Sequence, residues 1–401
     1  MEKQIMIKHS CSDRSLKIKN IMFRCMNDAI DTKTGDRKCP QVDDEEFSEY
    51  NKLAHVMPKN LVFPAKGVFF SIPRESRCPS CNMISKKRVC QFCHNELPAF
   101  FGETDNITIA VIGAKSAGKS HYIAVLKRIL ENELSGPFNY SMIACNDETI
   151  GRYEKEFRDP LFNEHVTLDA TMSSVVNVKT KSPLIYMIQF YAKDARKISK
   201  TVTITFFDTA GENLDSSQTM LAENQYIVHS DGIIMLLDPL QLPILRQELE
   251  RKGMYLPTAN TDSGDILDRT VQLIKEQKNL NADAIIDIPL AAAFTKMDVL
   301  MDQLPASSYF RNQSPHRLIG AFDVDDFNTI NDEMRSYVEK WNGGGFVQKA
   351  NAFKEKAFFG LSALGCNPDE LNGTVPIVAP MRVEDPFLWL LYKNKFIPGT
   401  K

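Results

Sequence analysis

No run of about 18 consecutive apolar residues, the length a helix needs to cross a bilayer, occurs in this sequence of 401 residues, which argues against a membrane span. A secretory leader is missing as well: the opening residues, MEKQIMIKHSCSDRS, are charged and have no apolar centre. Nor is charge of one sign in excess. Lysine and arginine number 48 against 51 aspartates and glutamates, a net −3, so the overall balance shows no nucleic-acid footprint. Internal repeats and low-complexity tracts are absent. Cysteine is scarce over most of the chain, with only Cys145 and Cys366 beyond residue 94. The others, Cys11, Cys25, Cys39, Cys78, Cys81, Cys90 and Cys93, crowd into the first quarter. Thiols paired at two-residue spacing, in a chain without a leader, point to metal ligation in the reducing cytoplasm rather than to disulfides.

What is present divides into two textures. Residues 1–102 are rich in Cys, Lys, Asp and Pro, with short apolar runs such as NLVFPAKGVFFSIP, and predict a small β-rich domain of strands and loops. Residues 103–401 predict an α/β domain. Their strand-length apolar runs (ITIAVI, LIYMIQFYA, VTITFF, GIIMLLD, IPLAAAF, KAFFGLSA) alternate with helix-period stretches. Near-continuous apolar strands fit a mostly parallel sheet with helices on both faces. The joint is placed in ELPAFFGET, residues 96–104.

The first functional signal is Gly113-Ala114-Lys115-Ser116-Ala117-Gly118-Lys119-Ser120, which follows ITIAVI and precedes the helical HYIAVLKRILENEL. The glycines let the loop curl so that backbone N–H groups point at phosphate oxygens. Lys119 is expected to reach the β/γ-phosphates, and the Ser120 hydroxyl to ligate Mg²⁺. The helix that opens there, with His121 in its first turn, brings its positive end to the phosphates. The second signal is VTITFFDTAGE. Asp208 closes the strand where a Mg²⁺ partner belongs, and Gly211 can offer a backbone N–H to the γ-phosphate. A plain strand-end turn is the alternative for this stretch.

The third signal is Thr295-Lys296-Met297-Asp298 at the end of IPLAAAF. Here the chain resembles the P-loop GTPases, whose base-recognition motif is [N/T]-K-x-D. The resemblance implies that Asp298 accepts from guanine N1–H and the 2-amino group, that Lys296 packs over the ring, and that Thr295 braces the loops. Adenine lacks that donor pair and would leave the carboxylate unpaired. FFGLSALG resembles the same family's other base loop and assigns Ser362, Ala363 and Leu364 to the pocket. A strand running into a left-handed cap at Gly365 is the alternative. The spans from Ser120 to Asp208 and from Asp298 to Ser362 exceed those of the minimal small-GTPase fold and imply insertions, with NGGGF (342–346) as a surface turn.

Glu212 stands where Ras-like relatives carry the Gln that orients the attacking water. SAGKS also resembles the loop of dynamin-like GTPases, which makes Ser116 a candidate for charge balance at the bridging oxygen and Lys115 a candidate local cation. Both side chains pointing to solvent is the alternative. For the switch segment the Mg²⁺-binding threonine is sought among Thr167, Thr171 and Thr180, with Thr171 favoured.

In the cysteine region, Cys78–Cys81 and Cys90–Cys93 predict two knuckles that face one another around a structural Zn²⁺. His94 is read as a neighbour. His9, Cys11, Cys25 and Cys39 are candidates for a second zinc. The ribbon serves either as a protein-docking module or, through SKKRVC, as a nucleic-acid face. The whole arrangement is similar to bacterial zinc-ribbon GTPases of the double-GTPase families in the TRAFAC class, associated with conflict and antiviral defence systems. That resemblance implies a cytoplasmic GTPase cycling between GTP and GDP, with protein partners at the ribbon or switch loops. A GTP-dependent scaffold with little hydrolysis, a nucleic-acid-binding GTPase and an ATPase of the wider P-loop class are the alternatives.

Overall fold

The computed structural model describes residues 7–9, 12–16, 21–50, 53, 55–65, 73–97, 105–168, 183–192, 197–208, 225–252, 256, 263–342, 344–369 and 373–400. The chain divides into two compact units, Met1–Asn106 and Ile107–Lys401.

The first unit is built of very short strands: β1 (Ile7–His9), β2 (Ser12–Leu16), β3 (Met22–Arg24), β4 (Gln41–Asp44), β5 (Met57–Asn60), β6 (Val62–Pro64), β7 (Ser76–Arg77), β8 (Ile84–Ser85) and β9 (Arg88–Val89). They pair antiparallel, β1 with β2, β4 with β5 and β7 with β8, while β3 lies between β6 and β9. Strands this short bury little. The core holds Ile21, Phe23, Phe63 and Leu97, and the rest of its fully buried members are cysteines.

The second unit is a seven-stranded sheet of β10 (Asp105–Gly113), β11 (Tyr140–Ala144), β12 (Leu184–Tyr191), β13 (Ile198–Asp208), β14 (Gly232–Leu237), β15 (Leu290–Phe294) and β16 (Lys356–Gly360). Their order is β11-β12-β13-β10-β14-β15-β16. The β10–β14, β14–β15 and β15–β16 pairs are parallel; β11–β12 and β12–β13 are antiparallel. Side chains alternate between two cores because successive strand residues point to opposite faces. Ile107, Ile109 and Val111 pack with helices Lys119–Asn132 and Asp385–Lys393, while Ala110 and Ile112 share the other core with Ser263–Gln277, Val324–Asn342 and Gly344–Ala350. This is the α/β fold with helices on both faces that the sequence predicts. Among the described residues, no helix is long and apolar enough to cross a membrane.

The six apolar runs all form strands. The seventh, β11, has no such run: it is an edge strand with Ser141 in it and Ile143 exposed, so its pattern is only half apolar. Between β11 and β12 the helix Asp147–Tyr153, capped by Asn146 accepting from Thr149 N (2.7 Å), continues as a π-helix over Glu154–Asn163. Pro160 lies inside it and has no N–H to donate, which disfavours regular α-helical bonding there. The expected surface turn at NGGGF falls partly outside the described residues; on either side of residue 343 the helices Val324–Asn342 and Gly344–Ala350 bury Trp341 and Phe346.

Candidate functional site

The parallel pairing brings the ends of β10, β14, β15 and β16 to one edge: Gly113 lies opposite Leu236, Leu237 opposite Phe294, and Phe294 opposite Gly360. In open α/β sheets ligands bind beyond the carboxyl ends of the strands. The Gly113–Ser120 loop, Thr295–Asp298 and Ser362–Leu364 all follow the ends of these strands.

Gly113 must be glycine. A Cβ there would meet the Leu236 carbonyl oxygen at 2.6 Å. The loop then turns through Ser116 (φ 62°) and Gly118 (φ 87°), and the helix Lys119–Asn132 begins directly after. Lys119 is buried, and its Nζ donates to the carbonyls of Gly113 and Ala114, 3.0 Å each. The ammonium is thus folded back over the loop it belongs to. Ala114 and Ala117 are buried, Ser120 is half-buried, and Lys115 and Ser116 are exposed.

On the other side, Thr295 is buried, with its N–H (2.9 Å) and hydroxyl (3.3 Å) both donating to Leu237 O. This ties the end of β15 to that of β14. Lys296 takes a left-handed conformation (φ 52°), and its Nζ reaches Asp238 Oδ2 at 2.6 Å. Asp238 is buried and also accepts from Leu240 N (3.0 Å). The Ser362 hydroxyl donates to Asp298, and Gly365 N donates to the same hydroxyl oxygen (2.9 Å). Gly365 has φ 73°, and a Cβ there would lie 2.0 Å from the Ala379 carbonyl. The left-handed glycine of the alternative reading is present, and it closes a loop that presents Ser362 to Asp298. Ala363 and Leu364 pack at the margin of the core.

One residue, Asp238, gains a place that sequence reasoning did not give it, and His121, already expected in the first turn of the helix, gains a partner. Asp238 closes the apolar run GIIMLLD with no motif around it, and only the parallel pairing of β14 with β15 brings it beside Lys296. His121 is partly buried, and its Nε2 accepts from Leu168 N at 3.1 Å. Burial first, then the charge of Lys296, pushes its pKa down to about 4, so the ring is neutral and able to accept.

Asp208 ends β13, but its side chain, like Gly211, Glu212, Thr171 and Thr180, lies outside the described residues. Thr167 is described: its N–H donates to Gly373 O (2.8 Å).

The cysteines group differently from the expectation. The converging sulfurs are those of Cys25, Cys39, Cys78 and Cys81, all within 4.8 Å of one another. Among the described residues Cys90 and Cys93 are not part of that group. The reason is strand direction. β3 runs antiparallel to β9, pairing Met22 with Val89 and Phe23 with Arg88, so Cys25 emerges at the opposite end of β9 from Cys90. The two knuckles themselves are alike. Cys78 N donates to Met83 O and Asn82 N to Cys78 O; Cys90 N donates to Asn95 O and His94 N to Cys90 O, each 2.9 Å. His94 turns away to Asp44 (2.8 Å), which also holds Arg24 (2.7 Å). Of the proposed second set, Cys25 and Cys39 join the first knuckle; Cys11 and the His9 side chain lie outside the described residues.

The sequence profile of the double-GTPase 2 family matches residues 107–339, more than half of the chain. The chain belongs to the double-GTPase 2 family. The double-GTPase 2 segment runs from within β10 to the helix Val324–Asn342, and so takes in the Gly113–Ser120 loop and Thr295–Asp298. A Mycolicibacterium smegmatis protein named for ESX-1 scaffolding and assembly, SaeC, is 26% identical over 323 residues, which is 75% of this chain and 78% of SaeC. Solved structures that align include the Trypanosoma brucei Arl6 (BBS3) small GTPase with bound GppNp, at TM-score 0.28 and 11% identity over 72% of this chain and 98% of that one. Elongation factor SelB of Methanococcus maripaludis with GppNHp aligns at TM-score 0.24 and 12% identity over 65% of this chain and 30% of that one.

Proposed function

We propose that this double-GTPase 2 protein binds GTP at the carboxyl edge of its sheet and hydrolyses it to GDP, acting in the cytoplasm as a nucleotide-controlled assembly factor. The observation that carries the reading is the joining of Asp298 to Ser362 and of Lys296 to Asp238, beside the Gly113–Ser120 loop. A carboxylate held by one hydroxyl keeps acceptor capacity for the two guanine donors, and a lysine fixed by a buried aspartate is pre-organised to lie along a base. Residues 103–401 form the nucleotide domain in this reading, and residues 1–102 a separate metal-stapled module that meets partners.

Ser120 and Asp208 are the residues that would hold Mg²⁺, which supplies charge neutralisation of the phosphates when bound. Lys119 turns from the loop carbonyls to the β/γ-phosphates, and the Gly211 N–H, outside the described residues, is the candidate donor to the terminal phosphate. Glu212 in the place of glutamine adds negative charge beside an anionic substrate, so turnover by the isolated chain is slow. Thr171, outside the described residues, is the favoured switch threonine for the Mg²⁺ that accompanies the triphosphate.

The SaeC relative supports assembly over a place in antiviral defence, and it keeps open a scaffold that binds GTP with little hydrolysis. Steady release of phosphate from GTP by purified protein, lost in Lys119→Ala, separates hydrolysis from binding alone. Equal affinity for ATP and GTP would overturn the guanine assignment.

A further inference from the structure

The first unit carries a group of thiols that no nucleotide reading uses. We propose that Cys25, Cys39, Cys78 and Cys81 together bind one structural Zn²⁺, cross-bracing the Cys25–Cys39 turn to the first knuckle, and that Cys90 and Cys93 are not ligands of this ion.

Spacing is the first argument. Four sulfurs placed tetrahedrally at about 2.3 Å from zinc stand roughly 3.8 Å from each other. Here Cys39 and Cys78 are 3.8 Å apart and Cys25 and Cys81 are 3.5 Å apart, with all four inside 4.8 Å. A disulfide needs about 2.05 Å, so the thiols are too far apart to be paired covalently and too close to be unrelated.

The backbone explains how they meet. The turn after β3 is bridged at Ile30–Arg37, with Lys38 N donating to Ala29 O (2.8 Å), and this folds Cys39 back beside Cys25. The knuckle between β7 and β8 supplies Cys78 and Cys81. The links Cys25–Cys81 and Cys39–Cys78 join positions 56 and 39 residues apart, so the ion closes long loops. Cys90 belongs elsewhere. Arg24 N donates to Lys87 O (2.9 Å), which puts Cys25 beyond one end of β9 while Cys90 follows the other end. Several residues at about 3.3 Å each separate those ends, farther than one ion's ligands span.

Burial is the second argument. Cys25, Cys39 and Cys78 are no more than 1% exposed, and sulfur accounts for most of the small core. A domain with so few large apolar side chains gains its stability from a staple. Zn²⁺ displaces the four thiol protons, and the excess negative charge is met by backbone N–H groups such as Asn27 N, which donates to Cys25 Sγ at 3.4 Å. Four protein ligands leave no open position, so the ion is structural.

Two measurements on the full chain test this, with Zn²⁺ as the probe. In the zinc-loaded wild type, Cys25, Cys39, Cys78 and Cys81 resist alkylation by iodoacetamide, and all four become reactive together as a chelator strips the ion. By elemental analysis, Cys25→Ser and Cys39→Ser each lose one zinc equivalent, and Cys25→Ser/Cys78→Ser loses no more than either single change. Cys25 and Cys39 labelled at the same rate with and without zinc would overturn the proposal, and so would full zinc content in Cys25→Ser. The wild-type labelling does not depend on any variant folding.

Discussion

Replacing Asp238 with asparagine isolates one charge at the candidate base pocket. The buried carboxylate makes two contacts, one with Leu240 N at 3.0 Å and one with Lys296 Nζ at 2.6 Å. Asparagine keeps an oxygen for the Leu240 N–H but loses the negative charge that holds the ammonium. A hydrogen bond to a charged group contributes roughly 1.5–3 kcal/mol. The Lys296 side chain is 31% exposed, so solvent screening reduces that to about 1–1.5 kcal/mol. Released from Asp238, Lys296 must be ordered when the nucleotide arrives. Asp238→Asn is therefore expected to raise the dissociation constant for GTP by roughly 5- to 12-fold, at about 1.4 kcal/mol per factor of ten. Titration of a fluorescent guanine nucleotide reads this directly, and a thermal melt on the same sample separates affinity from folding. Asp238→Ala, which also removes the turn contact, lowers stability by a further ~1 kcal/mol. An Asp238→Asn protein that binds GTP as tightly as wild type refutes the positioning role of this pair.

Asp298→Asn exchanges an acceptor pair for one donor and one acceptor. GTP affinity is expected to fall by roughly 10- to 100-fold, while xanthosine triphosphate, which presents a carbonyl in place of the 2-amino group, binds better to the variant than to wild type; competition binding decides it. His121 gives a pH dependence. Its folded pKa of about 4 lies below the unfolded value of about 6.5, so in that interval the unfolded chain takes up the proton that the folded chain refuses. The stabilisation is complete above about 6.5 and is lost as pH falls toward about 4. The unfolding midpoint, followed between those limits, should drop less steeply in His121→Gln than in wild type.

Much of the nucleotide-binding half was legible because its signals are local. A glycine where a side chain would strike a neighbouring carbonyl, a lysine at the head of a helix and an aspartate one turn past a strand are each written as residues at fixed spacing. The six apolar runs were legible for the same reason, since strands buried on both faces need no partner pattern to be recognised. The edge strand β11, with one solvent-facing side, carried no comparable signal.

Two things depended on the chain folding back on itself. Asp238 and Lys296 meet only because β14 and β15 run parallel in a register that sets Leu237 beside Phe294, and nothing near either residue announces that pairing. The thiols are the sharper case. Sequence determined that Cys78–Cys81 and Cys90–Cys93 would each form a knuckle, since two-residue spacing fixes that turn. Which thiols face the first knuckle was decided by the antiparallel pairing of β3 with β9, which carries Cys25 toward it and leaves Cys90 at the other end. Local geometry is encoded in neighbouring residues, whereas the direction in which two strands pair is set by which faces of the whole unit must be buried together.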